Sequence, residues 1–156
     1  MYSKHHAAAS LVVAAALAYL LPPVTLGGDP IPDAAVVASG TAVGVFIDLD
    51  HFLIARFKTG TWDAARFCLA NPRATVADQG EIFEPGDVGV LSRLLSHVVI
   101  AGIVVPALTL VSIPLAIVTG AVLYAHLLAD LVWDIYLLED HANAAVSIDD
   151  LVQTLR

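Results

Sequence analysis

Three clusters of acids and histidines interrupt an otherwise apolar chain: Asp48-Leu49-Asp50-His51, Arg93-Leu94-Leu95-Ser96-His97 and His126-Leu127-Leu128-Ala129-Asp130. Together with His5 and His6 they hold every histidine except His141. Each cluster lies at the end of a long hydrophobic run. An ionisable side chain beside lipid is costly unless it is paired, hydrated or bound to a metal. Imidazole and carboxylate ligands in one set suit Zn, Mn or Fe better than the all-oxygen sets of Mg or Ca. A carboxylate that does not bind the ion can instead accept the second N–H of a ligating histidine.

Spacing sorts these residues. His126, Asp130 and Asp134 recur at i, i+4 and i+8, which on a helix is a single stripe. Asp48 and His51, at i and i+3, also share a face, whereas Asp50 falls on another side of that helix. The candidate metal ligands are His5, His6, Asp48, His51, His97, His126 and Asp130. Asp50 and Asp134 are candidate general bases, and Arg93 is a candidate anchor for an anionic group. A divalent ion in such a set would make hydroxide available near neutral pH. Ser96 reads as a helix-start residue rather than a nucleophile, Cys68 as packing, and His141 as surface.

The elements that must position these residues are membrane spans. The 156-residue chain is 58% hydrophobic and 14% charged, with seven basic residues against 15 acids. Soluble domains average about 25% charged residues, so the chain is too apolar for that class. Net charge −8 argues against nucleic acid, whose phosphates require clustered Lys and Arg. The single cysteine excludes an internal disulfide.

A spanning helix needs about 20 mostly apolar residues. Four segments qualify, at about 7–26, 34–57, 94–113 and 114–138. Pro114 suits a first helical turn, and the tight connection before it makes spans three and four a hairpin. Pro22-Pro23 is awkward for signal cleavage, so the first segment is expected to be retained. All seven basic residues fall before span one, at the very end of span two (Arg56), between spans two and three, or at Arg156. The positive-inside rule then places both termini and the loop 58–93 in the cytoplasm. The expectation is an all-α integral membrane protein of the cell membrane: a single domain, 1–156, with four transmembrane helices, N-in and C-in, and a cytoplasmic tail from 139. On this topology every Asp and His cluster reaches the same membrane face, as one shared site requires.

Outside the spans, a short helix is expected over 61–69, capped by Thr61 and stopped at Asn71-Pro72. Residues 74–89 read as loop. Ser147 to Asp150 resembles a capping box before a short C-terminal helix. Gly40 and Gly44 form a Gly-x-x-x-Gly that lets a neighbouring helix approach closely.

The order of the clusters resembles the YdjM-like inner-membrane metal-dependent hydrolases. The stretches that match are Lys4-His5-His6, Asp48-Leu49-Asp50-His51, Arg93-Leu94-Leu95-Ser96-His97 and His126-Leu127-Leu128-Ala129-Asp130, so the resemblance runs from about Lys4 to Asp134. Phe46-Ile47 stands where the family tends to have Leu-Pro, Ser92 where it tends to have a further His, and Leu94 where it has Gly. The resemblance implies a metal-dependent hydrolase. Its site at headgroup depth suits a lipid or another ester or phosphoester. Two other classes fit the same residues: a proton or divalent-metal transport protein, and a non-catalytic membrane protein whose helices are joined by metal or salt bridges. The partners expected in each case are the lipid bilayer and no nucleic acid.

Overall fold

A computed structural model describes residues 3–75, 79–84, 86–137 and 147–155. The architecture is all-α with one small hairpin. The helices are α1 (Ser3–Leu20), α2 (Asp33–Phe46), α3 (Asp50–Thr59), α4 (Asp63–Ala70), α5 (Val90–Thr109), α6 (Ile113–Tyr136) and α7 (Ile148–Leu155). A two-stranded antiparallel ribbon, β1 (Thr25–Leu26) with β2 (Asp29–Pro30), lies between α1 and α2. The chain divides into two compact units, Met1–Ile47 with His97–Asp130, and Asp48–Ser96 with Leu131–Arg156.

In the first unit, α1 is rich in alanine, the strongest helix former. It ends at Leu20, short of the expected 26. Pro22 and Pro23 have no N–H to continue the ladder, and a residue before proline is pushed out of the helical region. Residues 24–31, expected as span end and loop, instead fold back through Gly27 (φ 62) and Gly28 (φ 97). Two glycines with positive φ fit a tight two-residue hairpin turn. Helix α2 packs on α1 through its two glycines. A Cβ on Gly40 would meet Ala14 Cβ at 2.8 Å, and one on Gly44 would overlap the Ser10 hydroxyl. Ala14, Val24, Val36, Val118 and Val122 form the apolar core. Helices α5 and α6 are joined by the turn 110–112, and Gly120 lies against Val105, so they fold back on each other as expected. Pro114 stands in the first turn of α6.

In the second unit, a 3-10 turn (Ile47–Leu49) ends α2 and leads into α3. Gly60 (φ 78) closes α3, its N–H bonded to Arg56 O. Helix α4 starts two residues later than expected: Trp62, not Thr61, precedes it, without a side-chain cap. Thr61 instead pairs with the Thr59 hydroxyl. Asn71 ends α4, its side chain donating to Phe67 O. Cys68 is buried on α4, and burial pushes its thiol up from the usual range. The loop after α4 contains a 3-10 turn, Gln79–Glu81. Phe83 from this loop packs on Phe52, ring centroids 5.1 Å apart. A cavity of about 420 Å³ in this unit is lined by Phe52, Trp62, Phe67, Glu81, Glu84 and Asp87 among others, and by no candidate ligand. Helix α7 begins directly after Ser147. His141 and Arg156 lie outside the described residues.

Three helices are long and apolar enough to cross a membrane: Asp33–Thr59 counted through its 3-10 turn, Val90–Thr109 and Ile113–Tyr136. Helix α1 is not among them, because its 18 residues include Lys4, His5 and His6. Residue placement departs from that of a soluble protein. Leu11, Val12, Leu95, Ile103, Leu110 and Val132 are exposed, while His6, Ser10, His97, Thr119, His126 and Asp130 are buried. Such a surface matches a hydrocarbon surrounding rather than water.

Candidate metal centre

Helix α6 supplies the first pair. His126 and Asp130, one turn apart, are 1% and 4% exposed. His126 Nε2 lies 3.3 Å from Asp130 Oδ2. The other ring nitrogen, Nδ1, is 2.8 Å from the carbonyl of Gly44. A carbonyl only accepts, so Nδ1 donates and carries the ring proton. In the neutral ring, Nε2 is therefore a lone pair, and it faces a carboxylate oxygen. Two electron-pair donors at that separation repel unless a cation or a proton lies between them. Gly44 sits in the last turn of α2, where helix carbonyls lack partners within the helix, and this leaves its oxygen available to fix the histidine tautomer.

Helix α5 adds His97, which is fully buried, with Nδ1 3.8 Å from Asp130 Oδ2. Its ring stands edge-on to His126 at 5.0 Å. The ligand atoms of His97, His126 and Asp130 all lie within 4.8 Å of one another, so this buried group is able to hold a metal ion. Helix α1 adds His6, whose Nε2 is 3.2 Å from Asp130 Oδ1. His6 also stacks on His126 with centroids 3.8 Å apart. Donating from Nε2, it orients the carboxylate and leaves Oδ2 toward the other two imidazoles. His6 Nδ1 is buried and has no hydrogen-bond partner. His5, the other N-terminal candidate, is exposed. Two imidazole nitrogens and one carboxylate oxygen form a donor set of the kind that Zn, Mn and Fe accept.

The second unit gathers Asp48, Asp50, His51, Ser96, Arg93 and Asp134. His51 Nε2 lies 3.5 Å from Asp48 Oδ1 and 3.7 Å from Asp50 Oδ1. Asp50 does not point away from the helix face that carries His51. The 3-10 turn before it changes the angular period from 3.6 to three residues per turn, and the carboxyl turns inward, 8% exposed. The Ser96 hydroxyl lies 2.5 Å from Asp50 Oδ2. Helix α5 begins at Val90, four residues before the expected start, so Ser96 and His97 lie within it rather than opening it. The Arg93 guanidinium donates to Asp134 Oδ2, both side chains about five-sixths buried. Asp134, a candidate base, is thus the counter-ion of Arg93. Ser92, where the resemblance implies a further histidine, is part of α5.

Sequence reasoning missed two members of these sets. The Gly44 carbonyl has no signature, since any residue supplies one; the Gly-x-x-x-Gly spacing pointed only to helix approach. Ser96 was visible as the residue before His97, but its partner Asp50 is 46 positions away. Searches against protein families, curated proteins and solved structures return no match.

Proposed function

We propose that this protein is a multi-pass membrane hydrolase that uses a divalent Zn, Mn or Fe ion held by His97, His126 and Asp130. The observation that carries the reading is the His126 Nε2 lone pair facing Asp130 Oδ2 at 3.3 Å, with the ring proton committed to the Gly44 carbonyl. His6 and the Gly44 carbonyl orient the carboxylate and the imidazole, as outer partners do in metal sites. A divalent ion there supplies Lewis acidity and acidifies a bound water. Asp50, buried and turned by Ser96, is the candidate proton acceptor. Arg93, held by Asp134, is the group that binds an anionic substrate. Hydrolysis, and membership in the YdjM-like group, rest on the order of the four motifs. A lipid ester or phosphoester is the substrate class. The membrane arrangement in this reading is four spans, α1 included, with both termini cytoplasmic, based on the distribution of Lys and Arg.

The test is elemental mass spectrometry on detergent-purified protein, beside the variant His126→Ala/Asp130→Asn. The parent is expected to retain at least one Zn, Mn or Fe that the variant loses. It should also hydrolyse phosphodiester or lipid-ester probes in a metal-dependent way. No bound ion after reconstitution with each metal overturns the reading. A second reading is favoured by one observation: His6–Asp130 and His126–Gly44 tie α6 to α1 and α2. Bound metal with no turnover on any probe, but a fall in thermal stability on its removal, would assign the cluster to holding helices together.

A further inference from the structure

The cavity of the second unit shares no residue with the metal set. Its volume, about 420 Å³, falls within the roughly 300–1,000 Å³ of small-molecule sites. Residues of α3, of α4 and of the loop after α4 enclose it, all within one compact unit. Small side chains leave the space: Ala55 on α3, and Ala64 and Ala65 on α4. Three aromatic rings wall it, those of Phe52, Trp62 and Phe67. The loop side is tied down. Phe83 packs on Phe52, and the Glu84 N–H donates to Asp87 Oδ2 at 3.1 Å. The charge is of one sign: Asp63, Glu81, Glu84 and Asp87 line the cavity, and no Lys, Arg or His does. Asp63 is paired with Arg66 at 3.3 Å, so the three loop acids set the local field. Asp63, Glu81 and Glu84 are exposed, whereas Phe52 and Phe67 are half-buried and Ala55 is buried. Acids therefore stand toward the rim, and apolar groups form the deeper wall.

We infer that this cavity binds a small quaternary ammonium ion, either free or as the headgroup of a choline-type lipid. The acidic rim favours a cation over an anion. A bare metal ion fits poorly: among the described residues, the groups able to hold one contain none of these acids. An unmethylated ammonium brings three N–H donors that need acceptors. The Thr59 hydroxyl is already bonded to the Ala55 carbonyl at 2.9 Å and paired with Thr61 at 3.3 Å, and the rest of the deeper wall is apolar side chains. A quaternary ammonium donates no hydrogen bond and is attracted to aromatic faces within about 6 Å of the ring centroid. Trp62 already shows that attraction, with the Arg56 guanidinium carbon 5.9 Å from its centroid. The inference is independent of the metal-hydrolase reading, because no residue of the cavity serves that site as ligand, base or anchor.

The full chain carrying Trp133→Phe, purified in a maltoside detergent, has Trp62 as its sole tryptophan. Its fluorescence is titrated with choline chloride, with sodium chloride at matched ionic strength, and with 3,3-dimethylbutanol, the uncharged carbon analogue of choline. Choline should give a saturable change that sodium does not, and bind about 10-fold or more tighter than the analogue, through ring faces and rim acids together. Glu81→Gln/Glu84→Gln should weaken choline about 2- to 30-fold, the effect of losing two exposed charge contacts. Ala64→Leu, which fills the space and keeps every charge, should abolish the change. Far-UV circular dichroism is the folding control, and if Ala64→Leu loses its helical signal the paired Glu variant decides alone. No saturable change with choline, or equal affinity for the analogue, overturns the inference. So does binding that the folded variants leave at parental strength. Nanodiscs of phosphatidylcholine and of phosphatidylglycerol then separate the sources. Loss of free-choline binding in the first alone supports the lipid headgroup as occupant, and binding in both supports the free cation.

Discussion

His126 shows how one side chain is given a task by groups distant in sequence. Its ring proton goes to Gly44, 82 positions away, and its lone pair to the neighbourhood of Asp130. Spacing on α6 foretold the second contact and was silent on the first. Arg93 and Asp134 make the complementary point. Each was legible as a charged candidate, but their pairing is a tertiary fact. Removing one partner of a buried ion pair leaves a charge without compensation, at a cost of about 3–5 kcal/mol. Asp134→Ala should therefore lower denaturation stability by roughly that amount. Arg93→Met/Asp134→Leu should lose much less, because no charge is left behind. Equal losses in the single and double variants, measured by thermal or denaturant unfolding, would contradict this pairing.

At the scale of elements, the decisive feature is the end of α2. A continuous helix through residue 57 was expected, and it would have put Asp50 on a different face from Asp48 and His51. The 3-10 turn at Ile47–Leu49 resets the phase and brings both acids to one imidazole. Nothing in the composition of Phe46-Ile47-Asp48-Leu49 announces that turn. The glycines of α2 were legible, and their spacing correctly implied close approach of a neighbour. Gly44→Ala would drive a methyl into the Ser10 hydroxyl and against Val122, 3.0 Å away. Overpacking of this kind costs about 1–3 kcal/mol, and it displaces the carbonyl that orients His126. Reduced thermal stability and weaker metal retention are expected together. Gly44→Ala/Ser10→Gly should recover much of both, since it vacates the space the methyl takes. Absence of recovery would mean that Gly44 acts through backbone freedom rather than close approach.

At the scale of the whole molecule, many large apolar side chains are exposed while several histidines and an acid are buried, and three helices are suited to a bilayer. Burying His6, His97, His126 and Asp130 in one unit is destabilising without a positive charge among them, so a resident ion should contribute to folding. An ion present at about 1,000 times its dissociation constant contributes about 4 kcal/mol. For a chain of this length, each kcal/mol moves the midpoint by about 2–4 °C. Chelator treatment should lower the unfolding temperature by about 10 °C, and readdition of the metal should restore it. An unchanged midpoint in a chain shown to have lost its ion would remove metal from the account of stability.

The sequence alone determined the class of the protein and the membership of its clusters. Long apolar runs demand helices in lipid, and an acid or histidine within such a run is too costly to be incidental, so Asp48, Asp50, His51, His97, His126 and Asp130 stood out by type and position. Helix periodicity paired His126 with Asp130, because that contact lies within one element. The tertiary structure decided the rest. It chose His6 over the exposed His5, joined Ser96 to Asp50 and Arg93 to Asp134, and set the tautomer of His126 through a backbone carbonyl. These depend on which helices approach and in what rotational phase, and that is settled by the absence of a Cβ at Gly40 and Gly44 and by the change of period at Ile47–Leu49. Such relations are between elements, and no local pattern of residues encodes them.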